Sequence, residues 1–272
     1  MAIQTREILV VKLGGGAGLD LPRACQDLAR LSHDYALVIV HGVSARMNQM
    51  CRDLDVPIRT IQSPSGHSSR YTDPRTRDIF VSASREMNRE TQEWLESYGV
   101  NAVSMASDDN VIVHGERKRA IRAVLDGRVR IIRDDYSGRI NHIDVSPIHE
   151  QLLRGNVPVV PPMAMSDDGL LNVDGDRAAA AIAGALGAES LVILSNVQGL
   201  YRDFDNKDSL VNDVPMGQID RAMDWAEGRM KRKVLGAHEA LEDGVQRVII
   251  GDGRLSDPVT QALNGVGTTF TR

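Results

Sequence analysis

The stretch 7-EILVVKLGGGAGLDLP-22 decides the fold, because it contains a strand, a glycine-rich turn and the start of a helix. Between Glu7 and Leu13 the residues are apolar apart from Lys12, and three of them are β-branched, which is typical of a buried strand of a parallel sheet. Pro22 stands where proline is favoured, in the first turn of a helix. This order of elements predicts an α/β protein.

The glycine-rich turn is a candidate phosphate site. Glycines between a strand and a helix let backbone N–H groups approach phosphate oxygens. The turn matches neither common fingerprint, since GxGxxG would need glycine at Leu19 and a P-loop would need GK[ST] after it. An ordinary tight turn, with Lys12 extending from the strand end towards water, also fits the residues.

Strand and helix patterns alternate along the rest of the chain. Buried-strand runs lie at 36–40, 102–105, 157–160, 191–194 and 247–250, and residues 265–270 predict a turn into a last short strand. Helical patterns lie at 45–54, 74–98, 145–154, 176–186 and 228–243. This alternation predicts one domain with an open, mostly parallel sheet between layers of helices. Residues 57–74 and 203–215 are polar and predict surface loops. Thr72 or Asp73 is expected to cap the helix that Pro74 opens.

The segment 171-LNVDGDRAAAA-181 places three polar side chains just before an alanine-rich helix. Asn172, Asp174 and Asp176 would share one side of an extended segment, since strand side chains alternate between faces. Aspartates at a helix start also cap free N–H groups and favour the positive end of the helix dipole. A binding site and a helix cap both fit, and the helix should end at Gly187.

The composition excludes several classes of protein. The chain has 272 residues, of which 42% are hydrophobic, so it can bury a sizeable core. Its formal net charge of −5 argues against a general nucleic-acid binder. Two cysteines and seven scattered histidines predict neither a disulfide framework nor a metal site, and a cytoplasmic location is expected. No membrane span or signal peptide is expected.

One segment has a charge opposite to that of the whole chain. Residues 115–133 contain seven basic and two acidic residues, a net +5 that leaves −10 on the remainder. Asp126-Gly127, between two β-like runs, is a strong hairpin turn signal. The segment predicts a basic β-hairpin that projects from an acidic body and meets an anionic partner, although a solvated face also fits.

Six motifs, in their order and spacing, resemble the amino-acid kinase family over essentially the whole chain. They are VKLGGG at 11–16, HG at 41–42, NVDGD at 172–176, SNVQGLY at 195–201, GRMKRK at 228–233 and GVGTTF at 265–270. The chain is most similar to the N-acetylglutamate kinase branch. Residues 69–73 and the basic hairpin resemble members whose amino acid is carried on a small acidic protein.

The resemblance implies transfer of the γ-phosphoryl group of ATP to a side-chain carboxylate. The expected acceptor is 2-aminoadipate attached to an acidic amino-group carrier protein, with carrier-linked glutamate as a second substrate. Free N-acetylglutamate is the rival acceptor, and a non-catalytic amino-acid or nucleotide binder is the alternative of another class. An acceptor lobe at about 1–173, a nucleotide lobe at about 174–272 and a homodimer are also implied.

The resemblance assigns roles to individual residues of this chain. Lys12 and Lys233 would stabilise the transition state, with Asp176 holding both ammonium groups. The residues expected to contact the acceptor are Gly42, Val43, Arg70 and Asn172. Those expected to contact the nucleotide are Gly14, Gly15, Ser195, Asn196, Gly199 and Tyr201. Those expected to contact the carrier protein are Arg117, Lys118 and Arg119.

The same resemblance implies that Mg²⁺ is held chiefly by the ATP phosphates, without a dedicated protein cage. Backbone N–H donors are expected from Gly14, Gly15 and Gly42. Two positions depart from the family pattern: Val43 replaces a common glycine, and Asn196 stands where relatives often carry aspartate.

Overall fold

The computed structural model describes residues 6–64, 66, 68–106, 111–125 and 128–272. Its strands are β1 (Ile8–Leu13), β2 (Ala36–His41), β3 (Thr60–Gln62), β4 (Ser68–Arg70), β5 (Ala102–Ser104), β6 (Val113–Arg117), β7 (Ile121–Leu125), β8 (Arg128–Ile132), β9 (Gly138–Ile143), β10 (Val157–Val160), β11 (Met163–Ser166), β12 (Gly169–Asn172), β13 (Ser190–Ser195), β14 (Asp213–Pro215), β15 (Arg247–Asp252) and β16 (Thr268–Thr271). Its helices are α1 (Leu21–Leu31), α2 (Ser44–Asp53), α3 (Pro74–Ser97), α4 (Ser146–Leu153), α5 (Gly175–Leu186), α6 (Ile219–Trp225), α7 (Met230–Glu242) and α8 (Pro258–Leu263). Among the helices of these ranges, none combines the length and apolarity needed to cross a bilayer.

An eight-stranded sheet forms the centre of the molecule, in the order β14-β16-β15-β13-β1-β2-β10-β5. Neighbouring strands from β15 to β5 all run parallel to one another. Strand β16 is antiparallel to β15, and β14 is parallel to β16. The prediction of an open, mostly parallel sheet is confirmed. Since β1 and β13 are adjacent, one sheet runs through both the N-terminal and the C-terminal part of the chain.

Residues of β1 alternate between two separate cores, because side chains of a strand point to opposite faces. Val10 packs among residues of α5 and α7 on one face, and Leu9, Val11 and Leu13 pack with α1 and α8 on the other. Both faces are therefore covered by helices, which explains why the strand is apolar along almost its whole length.

Two helix ends follow from local sequence alone. Asp73 caps α3 by accepting a hydrogen bond from the N–H of Thr76 at 2.8 Å, and Pro74 is its first residue. The helix α5 ends at Gly187, which adopts the left-handed conformation with φ of 61°. Both predictions are confirmed.

Two small sheets differ from the sequence predictions. Strands β3 and β4 lie in residues 57–74, so the prediction of an irregular surface loop there is wrong for these two strands. The basic segment is also not one hairpin: β6 pairs with β9, whereas β7 pairs with β8 and with β3 in another sheet. The predicted turn at Asp126-Gly127 lies outside the described residues. Pairing with distant strands, which spacing does not encode, decides these registers.

Candidate active site

A cavity of about 1680 Å³ opens at the carboxyl ends of β1 and β2. Open α/β sheets bind ligands at this edge. The residues predicted for the site that line the cavity are Lys12, Gly14, Gly15, Gly42, Val43, Arg70, Lys118, Asn172, Asp176, Ser195, Asn196 and Lys233. Residues far apart in the chain thus border one space.

Asp176 lies between two lysines in the wall of this cavity. Its Oδ1 is 2.8 Å from Nζ of Lys12, and its Oδ2 is 2.9 Å from Nζ of Lys233. All three residues are at most 8% exposed, so Lys12 does not extend into water. Buried charges at this depth must compensate one another, because an unpaired one would be costly. The carboxylate therefore fixes two ammonium groups beside the cavity.

Burial and charge act in opposite directions on this cluster. Burial alone would raise the pKa of Asp176, but the attraction of Lys12 and Lys233 outweighs it and holds that pKa well below its usual value. Burial lowers the pKa of the Lys233 ammonium, and Asp176 opposes the lowering. Asp176 is thus a permanent anion at neutral pH, whereas Lys233 releases its proton more readily than an exposed lysine.

The elements that carry the cluster are joined directly. Arg177, next to Asp176, donates two hydrogen bonds from α5 to the carboxylate of Glu239 on α7, at 2.8 and 2.6 Å. Bidentate pairs of this kind restrict geometry as well as adding energy. This contact holds Asp176 and Lys233 in register.

Asp174 has the structural role of a helix cap. Its Oδ1 accepts hydrogen bonds from the backbone N–H groups of Asp176 and Arg177, each at 3.1 Å. Its Oδ2 also lies 3.3 Å from Nη1 of Arg232. The two aspartates of this segment therefore have different roles: Asp174 caps the start of the helix, and Asp176 holds the lysines.

The two glycine loops touch each other at the cavity wall. A Cβ atom on Gly15 would lie 2.4 Å from the carbonyl carbon of Gly42, and one on Gly42 would lie 2.4 Å from the nitrogen of Gly15. Any larger side chain would force these backbones apart. The N–H of Gly42 donates to the carbonyl of Leu13 at 2.8 Å, so the prediction that Gly42 supplies a free backbone donor is wrong.

His41 of the HG motif is a structural residue. It is 1% exposed, and its Nε2 lies 3.2 Å from the amide nitrogen of Asn88. Burial lowers the pKa of His41 to about 4, and nearby Lys12 adds to the effect. A neutral imidazole of this kind packs under the second loop and does not serve as a cation in the cavity.

Arg70 and Asn172 enter the cavity from different strands. Arg70 ends β4 and hydrogen-bonds the side chain of Asn48 on α2, while burial lowers the pKa of its guanidinium. Asn172 ends β12, and its amide donates to Oγ1 of Thr72 at 3.1 Å. Among described residues, Nη1 of Arg70 is buried without a hydrogen-bond partner. It is therefore available to an anionic ligand.

Two predicted nucleotide contacts lie outside the cavity. Ser195 and Asn196 line it at the end of β13, but Gly199 packs so tightly against Thr268 that a Cβ would lie 2.4 Å from Oγ1. Tyr201 is 8% exposed and contacts Phe204 edge to face. The structure therefore gives Gly199 and Tyr201 packing roles in the loop beside the cavity.

The basic segment is divided between the interior and the surface. Arg117 stacks on the ring of Tyr136 at 3.8 Å and donates to two backbone carbonyl groups, so its charge is used within the fold. Lys118 lines the cavity but is also exposed to solvent, and partial burial and the charge of Arg177 lower its pKa. Arg119 is largely exposed, as are Arg128 and Arg130 on β8.

Three residues near the site are not predicted as site residues from the sequence. Asn48 contacts Arg70, Asp135 binds the backbone beside Asn172, and Arg229 reaches the first glycine loop. Motif spacing could not find the first two, because they act from other elements. Arg229 lies within the GRMKRK motif and was not separated from its basic neighbours. Within the described ranges, no three His, Cys, Asp or Glu residues form a group that could hold a metal ion.

Comparison with known proteins gives a family and close relatives. Residues 7–252 match the amino acid kinase family. The chain is 41% identical to a [LysW]-aminoadipate kinase of Deinococcus radiodurans, over all of this chain and 94% of the relative. It is 38% identical to a [LysW]-aminoadipate kinase of Thermus thermophilus, over 96% and 99% of the two chains.

Solved structures share the fold. The chain superposes on an N-acetylglutamate synthase of Neisseria gonorrhoeae with a TM-score of 0.79 and 25% identity. The match covers 99% of this chain and 60% of the other.

Proposed function

The chain belongs to the amino acid kinase family, and we propose that it phosphorylates 2-aminoadipate held on an acidic carrier protein. The γ-phosphoryl group of ATP would pass to the side-chain carboxylate, giving an acyl phosphate for lysine biosynthesis. Full-length similarity to two kinases named for this acceptor supports the choice. Relatives named for both aminoadipate and glutamate on the same carrier support glutamate as a second substrate.

The pairing of two lysines with Asp176 is the observation on which the proposed reaction rests. Phosphoryl transfer depends on positioning the two substrates and on neutralising the negative charge that shifts between oxygens during the transfer. Lys12, at the end of β1, would contact the transferring phosphoryl group, and Lys233 would contact the leaving ADP. Asp176 orients both ammonium groups, at 2.8 and 2.9 Å. The acceptor is already an ionised carboxylate, so no general base is needed.

The acceptor and the nucleotide would enter from different parts of the chain. Arg70 and Asn172, within residues 1–173, would bind the α-carboxylate end of the amino acid beside Gly42 and Val43. Residues 174–272 would hold ATP, with Ser195 and Asn196 bordering the nucleotide. Backbone N–H groups of the first glycine loop, at Gly14 and Gly15, would meet the phosphates.

Magnesium is proposed to enter this site as an ion carried by ATP. The carboxylates of Asp174 and Asp176, which line the cavity, are already engaged by backbone N–H groups, Arg232 and the two lysines. The ion would therefore be held by phosphate oxygens, where it neutralises charge.

Exposed cations support a protein-borne acceptor. Arg119, Arg128 and Arg130 lie outside the cavity and would attract an acidic carrier, whereas free N-acetylglutamate would not need them. We assign carrier contacts to Arg119 and to Lys118, which faces the cavity mouth. Arg117 would support this surface from the interior of the fold, through its contact with the Tyr136 ring.

We further propose a homodimer in the cytoplasm. Trp94 and Tyr98 stack at the end of α3 with ring centroids 6.3 Å apart, and each is 36% exposed. Leu153, at the end of α4, is 89% exposed. The stacked aromatic pair at the end of α3 offers exposed apolar area to a second copy of the chain.

The acceptor is tested by supplying ATP and Mg²⁺ with carrier-linked 2-aminoadipate, free 2-aminoadipate or free N-acetylglutamate. Release of ADP and trapping of the acyl phosphate with hydroxylamine are measured together. We expect both signals with the carrier-linked acceptor and neither with the free amino acid. Equal rates on N-acetylglutamate would overturn the assignment and favour that acceptor instead.

A further inference from the structure

Arg229 lies between α7 and the first glycine loop. It immediately precedes α7, and its Nη1 is 3.7 Å from the point where a Cβ on Gly16 would stand. Arg229 also lines the cavity. It lies four residues before Lys233, a spacing that places two side chains on the same side of a helix. Arg229 thus places a positive charge between Lys233 on α7 and the first glycine loop.

The start of α7 is unusually rich in positive charge. Arg229, Lys231, Arg232 and Lys233 follow one another there, and the first turn has no acidic residue. The N-terminal end of a helix carries a partial positive charge and disfavours cations. Lys233 and Arg232 are compensated by Asp176 and Asp174. Among described residues, Arg229 has no ion pair like those of Arg232 and Lys233, so its charge is left for a ligand.

A second guanidinium lines the same cavity. Arg70, at the end of β4, has a buried Nη1 without a hydrogen-bond partner among the described side chains. Arg229 is near enough for its charge to lower the pKa of Arg70, after burial, which is the larger cause. Two like charges that converge on one cavity repel each other unless an anion lies between them.

We propose that Arg229 is a further catalytic residue that binds the phosphoryl group in transit between the nucleotide and the acceptor. In the step, the bond from the γ-phosphorus to the bridging oxygen breaks, and its electron pair leaves with ADP. A carboxylate oxygen of the acceptor forms the new bond to phosphorus, and no proton is transferred. Arg229 neutralises the equatorial oxygens that lie towards Gly16, in addition to the ammonium groups that Asp176 holds. The inference rests on the proposed function.

The first test measures nucleotide binding and needs no acceptor. Dissociation constants of ATP and ADP, each with Mg²⁺, are measured by calorimetry for wild-type protein and Arg229→Gln. A charge-assisted contact to the γ-phosphoryl group predicts that the variant binds ATP about tenfold more weakly and ADP within twofold of wild type. Arg221→Gln, which removes an exposed cation from α6, should change neither constant. Unchanged ATP affinity, or equal weakening for both nucleotides, would overturn the proposal.

The second test measures turnover. Loss of one preorganised donor to the transition state predicts a fall in kcat of about 10²-fold for Arg229→Ala. Millimolar guanidinium ion should restore part of this loss, without affecting wild type or Arg221→Gln, and Arg229→Lys should retain intermediate activity. A structural role would not respond to guanidinium, so absence of rescue with a normal unfolding midpoint would contradict the proposal. Wild-type inactivity on the carrier-linked acceptor would overturn the proposed function alone, because the ATP and ADP constants decide Arg229 independently.

Discussion

Asp176 organises the site because both lysines pair with its carboxylate. Lys12 comes from β1, Lys233 comes from α7, and Asp176 lies on α5. Lysine is a flexible point charge, so its position must be imposed by a partner. Burial at 6–8% exposure removes water as a competing partner and makes this arrangement rigid.

The protonation state of Lys233 predicts the pH dependence of turnover. Burial lowers the pKa of Lys233, so the ammonium loses its proton at a lower pH than a free lysine, and kcat should fall on the alkaline side below about pH 10.4. The lowered pKa of Asp176 keeps the carboxylate ionised, so Asp176 causes no acidic loss above about pH 4. The profile of kcat from pH 6 to 10.5 measures this.

Two variants test the assignment of the alkaline limb. The residual activity of Lys233→Arg should show no alkaline limb in its pH profile, since arginine stays charged throughout this range. Asp176→Asn should move it to lower pH, because the anion that opposes the lowering is gone. An alkaline limb at the same pH in all three proteins would show that another group titrates.

Asp135 is expected to position the acceptor residues without touching the substrate. It is completely buried and accepts hydrogen bonds from the N–H groups of Thr72 and Ser137, at 2.9 and 2.7 Å. Thr72 in turn accepts from the Asn172 amide. Asp135→Asn turns an amide group towards one of these N–H donors and leaves it unsatisfied, at about 1–3 kcal/mol.

We expect Asp135→Asn to raise KM for the acceptor about tenfold and to leave KM for ATP unchanged. Asp34→Asn, the same change at an exposed aspartate outside the site, is the control. Steady-state kinetics with each substrate varied in turn measures both constants. An equal rise in both KM values would indicate general loosening rather than a role beside Asn172.

At the scale of elements, the sequence predicts the helices and strands that are determined by local residues. The start of α3 at Asp73-Pro74, the end of α5 at Gly187 and the buried central strands were all predictable, because caps, glycine conformation and β-branched runs act locally. The short helices α6 and α8 have too few residues for a helical period to be recognised. Pairing of β6 with β9 depends on a partner 21 or more residues away, which spacing cannot reveal.

The candidate site shows the same division. Motif order identified Lys12, Asp176 and Lys233, which the structure brings together, but not the packing of Gly199 against Thr268. Asn48 was also missed, because its contact with Arg70 joins two elements that only the folded chain brings together.

The contact between the two glycine loops predicts a stability effect. Gly15→Ala places a Cβ 2.4 Å from the backbone of Gly42, so the loops must separate, and overpacking of this kind costs about 1–3 kcal/mol. Gly16→Ala is the matched control, because its Cβ would have no heavy atom nearer than 3.7 Å. Chemical denaturation should give a lower midpoint for Gly15→Ala alone. Equal midpoints for the two variants would contradict this account of the loops.

At the scale of the whole molecule, charge is distributed unevenly. The net charge is −5, yet residues 115–133 carry +5, and β8 presents Arg128 and Arg130 at the edge of its sheet. An acidic partner would be repelled by the body and attracted to this segment, which orients its approach. Arg117 is unsuitable as a probe, because its replacement would also remove the contact with Tyr136.

The double variant Arg128→Glu/Arg130→Glu tests whether this surface recruits the carrier. Reversal of two exposed charges predicts carrier affinity at least about tenfold weaker at low ionic strength, with the difference narrowing as salt screens the surface. Arg23→Glu/Arg221→Glu makes the same change in net charge at exposed sites elsewhere and should bind nearly as wild type. Calorimetry with the carrier at 20 and 300 mM salt measures both. Equal weakening in the two double variants would mean that net charge alone steers the carrier, and that the basic segment gives no orientation.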